Sequence, residues 1–158
     1  MKSSLRRFSD ARFLLLSGVV LVCGAAPAAV HAASPRAEVL EAIHRIENPQ
    51  DLRRPGRYGE LGAYQFKRST WRMYTTIPFS YAVNRHASDT VAIRHYEWIK
   101  QGLERNGLEA TAYNIALAWN GGLQAAVDGR SCAAARDYAE RVNNIVHEMR
   151  AEHVAALR

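Results

Sequence analysis

Cysteine is almost missing from this chain. Cys23 and Cys132 are the only two in 158 residues, and Cys23 falls in a leader-like segment described below. One remaining thiol cannot close an internal disulfide, so the fold must rest on packing. With no His-bearing motif to activate it, Cys132 reads as a buried small hydrophobe. Other absences narrow the chemistry. His44, His86, His95, His147 and His153 show no paired-His-and-Glu spacing of the kind that holds a metal. No Gly-x-Ser-x-Gly elbow and no phosphate loop occurs, so neither a metal nor a cofactor is expected. Long β-branched alternation is also lacking, which argues against a sheet. No basic run is interleaved with aromatics, which argues against a nucleic-acid partner. Internal repeats and composition-shifted linkers are missing too, leaving one domain.

What is present begins with a targeting pattern. Lys2, Arg6, Arg7 and Arg12 make a positive start, Phe13 to Val22 is apolar, and an Ala-rich stretch runs to Val30. Val30-His31-Ala32 has small or aliphatic residues where a signal peptidase reads. A signal peptide over residues 1–32, cleaved after Ala32, is therefore expected, with residues 33–158 as the mature domain in the periplasm or outside the cell. Phe13 to Val30 is just long enough to span a bilayer, but its Gly, Ser and Pro favour a cleaved leader over an anchor. Val22 stands before Cys23 where a lipoprotein signal wants a small residue. Removing residues 1–32 takes away four basic residues and Asp10, so the formal charge of +6 falls to +3. A mildly basic, exported domain suits an anionic polymer, or simply a solvated surface.

The mature chain reads as all-α or mainly α. Ser34-Pro35 is a helix start, and Val39, Leu40, Ile43 and Ile46 recur at helical spacing. Asn48-Pro49 ends that helix, because the residue before proline is pushed out of the α region. Asn48 to Gly62 reads as a loop or a short irregular hairpin. Ser69-Thr70 starts a short helix carrying Trp71, and Ile77 to Arg85 has no clear pattern. Ser88-Asp89 caps a long helix ended by Gly107. An Ala-rich helix follows over Glu109 to Trp119, broken by Gly121-Gly122, with a helical turn over Leu123 to Val127. A last helix runs from about Ser131 to Arg150, with Tyr138, Val142, Ile145 and Met149 on one stripe.

Glu47 is the residue on which chemistry concentrates. At a helix C-terminus the dipole disfavours a carboxylate, and partial burial would disfavour it further. Both effects raise the pKa, as a general acid working near neutral pH requires. The plainer alternative is a surface glutamate paired with Arg45 or Arg53. Gly59 and Gly62 permit a tight turn that could bring backbone groups close to a ligand. Gln65 carries both donor and acceptor and could orient Glu47 or bind an acetamide. Among Trp71, Trp98 and Trp119, the long-helix Trp98 reads as core, whereas Trp119 beside Asn120-Gly121-Gly122 reads as cleft. Tyr138 lies on an apolar stripe and defaults to core.

Taken in order and spacing, Glu47, Gly62 with Gln65, Ser69-Thr70-Trp71, Trp119-Asn120 with Gly122, and Tyr138 with Val142 resemble the soluble lytic transglycosylase family. The stretch from Gln65-Phe66 to Trp71 resembles the resuscitation-promoting factors equally well. The resemblance runs from about Ala37 to Met149; no single motif in it is specific. Asn48 stands where that family usually has Ser, Tyr64 where Met is common, and Trp119 where Tyr is usual. These departures touch subsite detail.

The resemblance implies a lysozyme-like fold. It implies Glu47 as the catalytic acid, with Gly62, Tyr64, Gln65, Trp119, Asn120 and Tyr138 binding substrate. The implied substrate is the glycan strand of peptidoglycan, cut between N-acetylmuramic acid and N-acetylglucosamine with formation of a 1,6-anhydro end. It further implies a monomer that could open the wall for a secretion system or pilus. A lysozyme-type hydrolase, using Asp51 or Glu60 as a second carboxylate, is the nearest alternative. A non-catalytic wall-binding assembly protein is the other.

Overall fold

The structure, a computed structural model, describes residues 34–158. The expected signal peptide, its cleavage point and Cys23 lie outside the described residues. Six α-helices and one 3₁₀ turn follow in order: α1 Pro35–Glu47, α2 Arg68–Tyr74, the 3₁₀ turn Phe79–Val83, α3 Arg85–Arg105, α4 Ala112–Gly121, α5 Leu123–Val127 and α6 Ala133–Ala156. Among the described residues the only extended pairing is an isolated antiparallel bridge between Leu61 and Phe66. The expected mainly helical class is thus observed. No helix among the described residues is long and apolar enough to cross a membrane.

α1 begins as its sequence suggests. Ser34 Oγ accepts a hydrogen bond from the Ala37 amide at 3.3 Å, and Pro35 occupies the first turn, where no amide donor is needed. Its apolar stripe, Val39, Leu40 and Ile43, is buried, as are Ile99 and Leu103 of α3, Ile115 of α4 and Val142 of α6. Each such side chain contributes roughly 1.5–3 kcal/mol by leaving water. α4 and α6 make the most extensive helix pairing. Ala116, Ala118, Ala135 and Ala139 are all buried, and their small side chains let the two backbones approach closely.

Several boundaries differ from the sequence reading. α3 begins four residues earlier than expected, because Asn84 rather than Ser88 is the cap; its Oδ1 accepts from the Ala87 amide at 3.0 Å. Ser88 instead lies buried inside the helix. α4 starts at Ala112, where Thr111 Oγ1 caps the Asn114 amide at 3.1 Å. α6 extends to Ala156, six residues past Arg150, as no glycine or proline stops it. Cys132 is exposed at the start of α6, not buried, since the stripe facing the core begins at Ala135.

The segment between α1 and α2 carries no helix, yet it is tightly fixed. Asn48 is buried, and its Nδ2 donates to the Leu52 carbonyl at 3.0 Å and the Gly62 carbonyl at 3.2 Å. Its Oδ1 accepts from the Leu52 amide at 2.9 Å. The Leu61–Phe66 bridge closes a four-residue turn, Gly62 to Gln65, that turns Ala63 and Tyr64 into the core. Gly62 has φ +82°, and a Cβ there would lie 1.8 Å from the Ala82 carbonyl oxygen. Gly59 shares the left-handed conformation, but nothing lies near its missing Cβ. Gly62→Ala is therefore expected to destabilise the protein by about 3 kcal/mol, conformational strain plus overpacking. Gly59→Ala should cost only about 1 kcal/mol. Urea unfolding of the two variants checks the difference; equal costs would refute the role given to the Ala82 contact.

Candidate active site

Glu47 is the last residue of α1 and opens into a cleft of about 830 Å³. One wall of this cleft comes from the α1–α2 loop, with Gly56, Arg57, Tyr58, Glu60 and Gln65. The second is built from α2 and α3, with Thr70, Met73, His95 and Trp98. The third is the end of α4 and its turn, Ala118 to Leu123. The chain thus brings together three segments far apart in sequence around one carboxyl group.

Tyr138 of α6 supplies the closest polar contact to that carboxyl. Its hydroxyl donates to Glu47 Oε1 at 2.9 Å, while its ring is buried on the α6 stripe. Core residue and site residue are the same side chain. Burial raises the Glu47 pKa above its ordinary value and is the largest influence. The Tyr138 hydrogen bond opposes it by favouring the carboxylate, the Glu60 charge raises it further, and the Arg141 charge lowers it. Glu47 has no ion pair among the described residues, and Arg45 pairs with Glu41 at 2.9 Å instead. Burial and the Glu47 charge in turn push the Tyr138 hydroxyl far above the ordinary tyrosine range, so it remains a donor.

The other residues expected to bind substrate divide into two groups. Gln65, Trp119 and Asn120 line the cleft, with Asn120 exposed and Trp119 half-buried. Gln65 does not orient Glu47: its Nε2 donates to the Gly62 carbonyl at 2.9 Å, closing its own turn. Gly62 lies buried behind the cleft, its carbonyl taken by Asn48 and Gln65. Tyr64 contributes part of the cleft surface, but it is buried and its hydroxyl donates to Asp89 Oδ1 at 2.7 Å. These two positions build the turn; their polar groups are engaged inside the fold.

Of the two alternative carboxylates, only Glu60 lines the cleft. The Tyr58 amide donates to Glu60 Oε2 at 2.9 Å, holding the side chain in place. Asp51 sits elsewhere, 3.0 Å from His44 Nε2 and 4.0 Å from Arg85 Nη1. Trp71 is fully buried and serves the core, its indole N–H donating to the Ile77 carbonyl at 2.7 Å. Trp98, read from sequence as core, is instead 40 % exposed in the cleft. His95, one helical turn before it, was not singled out from sequence. Both flank the apolar stripe of α3 without lying on it, and an aromatic in that flanking position was the available signal.

A second cavity of about 840 Å³ lies between α1, α3 and α6 and does not include Glu47. Its charged residues are already paired, Arg36 with Glu97 at 2.6 Å and Arg150 with Glu38 at 2.7 Å. No protein-family model matches the chain, and no curated protein or solved structure matches it either.

The balance on Glu47 has definite signs. Tyr138→Phe removes an interaction that favours the carboxylate, so the Glu47 pKa should rise further. Glu60→Gln removes a repelling charge, so it should fall. Titration of the Glu47 carboxyl carbon by NMR in both variants checks this; shifts of the same sign would refute the scheme. Folding stability follows by linkage. A carboxyl whose folded pKa lies above its unfolded value of 4.5 binds protons more tightly in the folded state. Its contribution is fully present below that value and is lost as pH rises through the folded pKa. Glu47→Gln should therefore raise Tm at neutral pH and leave it nearly unchanged in acid, as thermal melts at the two conditions will read.

Proposed function

We propose that this protein is an exported lytic transglycosylase that cleaves the β-1,4 bond between N-acetylmuramic acid and N-acetylglucosamine in peptidoglycan. The observation that carries the proposal is one half-buried glutamic acid, raised in pKa by its surroundings and held by Tyr138, in an open cleft of about 830 Å³. The residues that resemble the transglycosylase family in sequence support the same reading. Tyr138 occupies Oε1 of Glu47, which leaves the acid proton on Oε2. That proton goes to the bridging oxygen as the bond from the muramoyl C1 breaks. The departing N-acetylglucosamine leaves with a free 4-hydroxyl. Positive charge develops at C1 and is met by the substrate's own acetamide. Glu47, now a carboxylate, takes the proton of the muramoyl 6-hydroxyl, and the C1–O6 bond forms. The products are a 1,6-anhydro-muramoyl end and a regenerated acid. One carboxylate suffices because the sugar supplies the nucleophile.

Glu60 favours a second reading. It shares the cleft and acts on the charge of Glu47, as a carboxylate that activates water in a lysozyme-type hydrolase would. The leader-like N-terminus supports a periplasmic or secreted location, and small single-domain wall enzymes suit local wall opening for a secretion system or pilus.

Digestion of purified peptidoglycan, with muropeptides read by mass spectrometry, tests both readings. Anhydro-muropeptides are expected, with a loss of about 10²–10⁴-fold in Glu47→Gln, the usual contribution of a positioned acid. Reducing ends lost in Glu60→Gln would establish the hydrolase instead. Wall binding without any product would establish the non-catalytic alternative.

A further inference from the structure

Exposed large apolar side chains cluster in the Glu47 cleft. Tyr58 is 76 % exposed and Met73 61 %. Trp98 joins them there, and all three line this one cleft. Trp98 is also the open end of a continuous layer of rings. Its indole stacks on the His95 imidazole, with centroids 6.0 Å apart and planes at 13°. His95 lies 4.6 Å from the Trp119 ring, which in turn lies 5.8 Å from Phe66 and 6.1 Å from Tyr64. The Tyr74 hydroxyl and His95 Nδ1 share a hydrogen bond of 2.9 Å, which fixes the imidazole. The two rings are near-parallel and offset, and Trp98 remains 40 % exposed in the cleft.

We propose that Trp98, set near-parallel to His95, is a sugar-binding platform of this cleft that takes the apolar C–H face of an N-acetylhexosamine ring. The proposal rests on the glycan reading of the cleft and assigns one of its subsites. An indole face offers apolar area with little rotamer freedom to lose. A pyranose ring has the matching shape, apolar on its faces and polar around its rim. Gln65, Thr70 and Asn120 on the same cleft can serve that rim. A cationic ligand would also favour an indole face, but Arg57 and Lys67 offset Glu47 and Glu60 on this cleft, which leaves no net negative charge to draw one. Desolvation lowers the His95 pKa to about 4, so the imidazole beside the indole adds no further charge at neutral pH.

The test uses the full chain carrying Glu47→Gln, titrated by calorimetry with chitotetraose, a β-1,4 N-acetylglucosamine oligomer. Adding Trp98→Ala should weaken binding about five- to tenfold, whereas Trp98→Phe should retain it within about twofold. In the otherwise unaltered chain acting on peptidoglycan, Trp98→Ala should raise KM more than it lowers kcat. Thermal melts confirm that the variants fold, which the half-exposed position favours. Chitotetraose binding unchanged by Trp98→Ala would overturn the platform and leave the glycan reading standing. Absence of binding to both chitotetraose and purified glycan strands, with Trp98 in place, would overturn the platform and the glycan reading together.

Discussion

The site depends on one buried amide. Asn48 follows Glu47 directly and is the first residue outside α1. Its side chain bonds the Leu52 backbone twice and the Gly62 carbonyl once. Those bonds tie the helix end to a turn fourteen residues away. A loop without secondary structure would normally leave its backbone groups to water and move freely. Here a side-chain amide completes the pairing, and the Gly62 turn lies against the Ala82 carbonyl with no room for a Cβ. Glu60 precedes that turn and Gln65 ends it, so the same anchor that fixes the end of α1 also fixes part of the cleft wall. Asparagine suits this position because its amide has two donor hydrogens and an acceptor, enough for all three bonds.

The electrostatics of Glu47 follow from that placement. A carboxyl at a helix C-terminus meets the negative end of the dipole, and burial removes the water that would stabilise its charge. Tyr138 opposes these effects without cancelling them, because burial is the larger influence. The group is left costly to ionise and yet firmly oriented. In the proposed reading stability and reactivity pull apart here: replacing the carboxyl by a neutral amide should strengthen the fold at neutral pH while removing the proposed acid.

Much of this was legible in sequence, for identifiable reasons. Helical periodicity gave the helical class, and Ser34-Pro35 and Asn48-Pro49 marked both ends of α1, because caps and proline act locally. The placement of Trp119 and Asn120 beside a glycine break also follows from local rules. The start of α3 did not, because Asn84 and Ser88 are both competent caps and only tertiary packing buries Ser88. Gln65 offered a donor and an acceptor but no direction, and the +44° φ that turns it onto the Gly62 carbonyl is a property of the closed turn. Tyr138 reaching Glu47 across ninety-one residues is a packing result that no spacing rule encodes.

Trp98 shows where periodicity misleads. A helix lining a cleft has three kinds of face: core, solvent and cleft. Hydropathy distinguishes only the first two, so a large aromatic beside the apolar stripe is counted as core. In α3 the stripe itself, Val91, Ala92, Tyr96, Ile99 and Leu103, is complete without Trp98. An indole added at the border of a complete stripe has nothing left to fill, and its cost in exposed apolar surface calls for another explanation. His95 has the same border position but is half-buried, with Trp119 and Tyr74 from other helices packed against it. The pair therefore differs in exposure despite sharing one flank of one helix. That difference comes from which segments close over the flank, and where they stop the cleft begins.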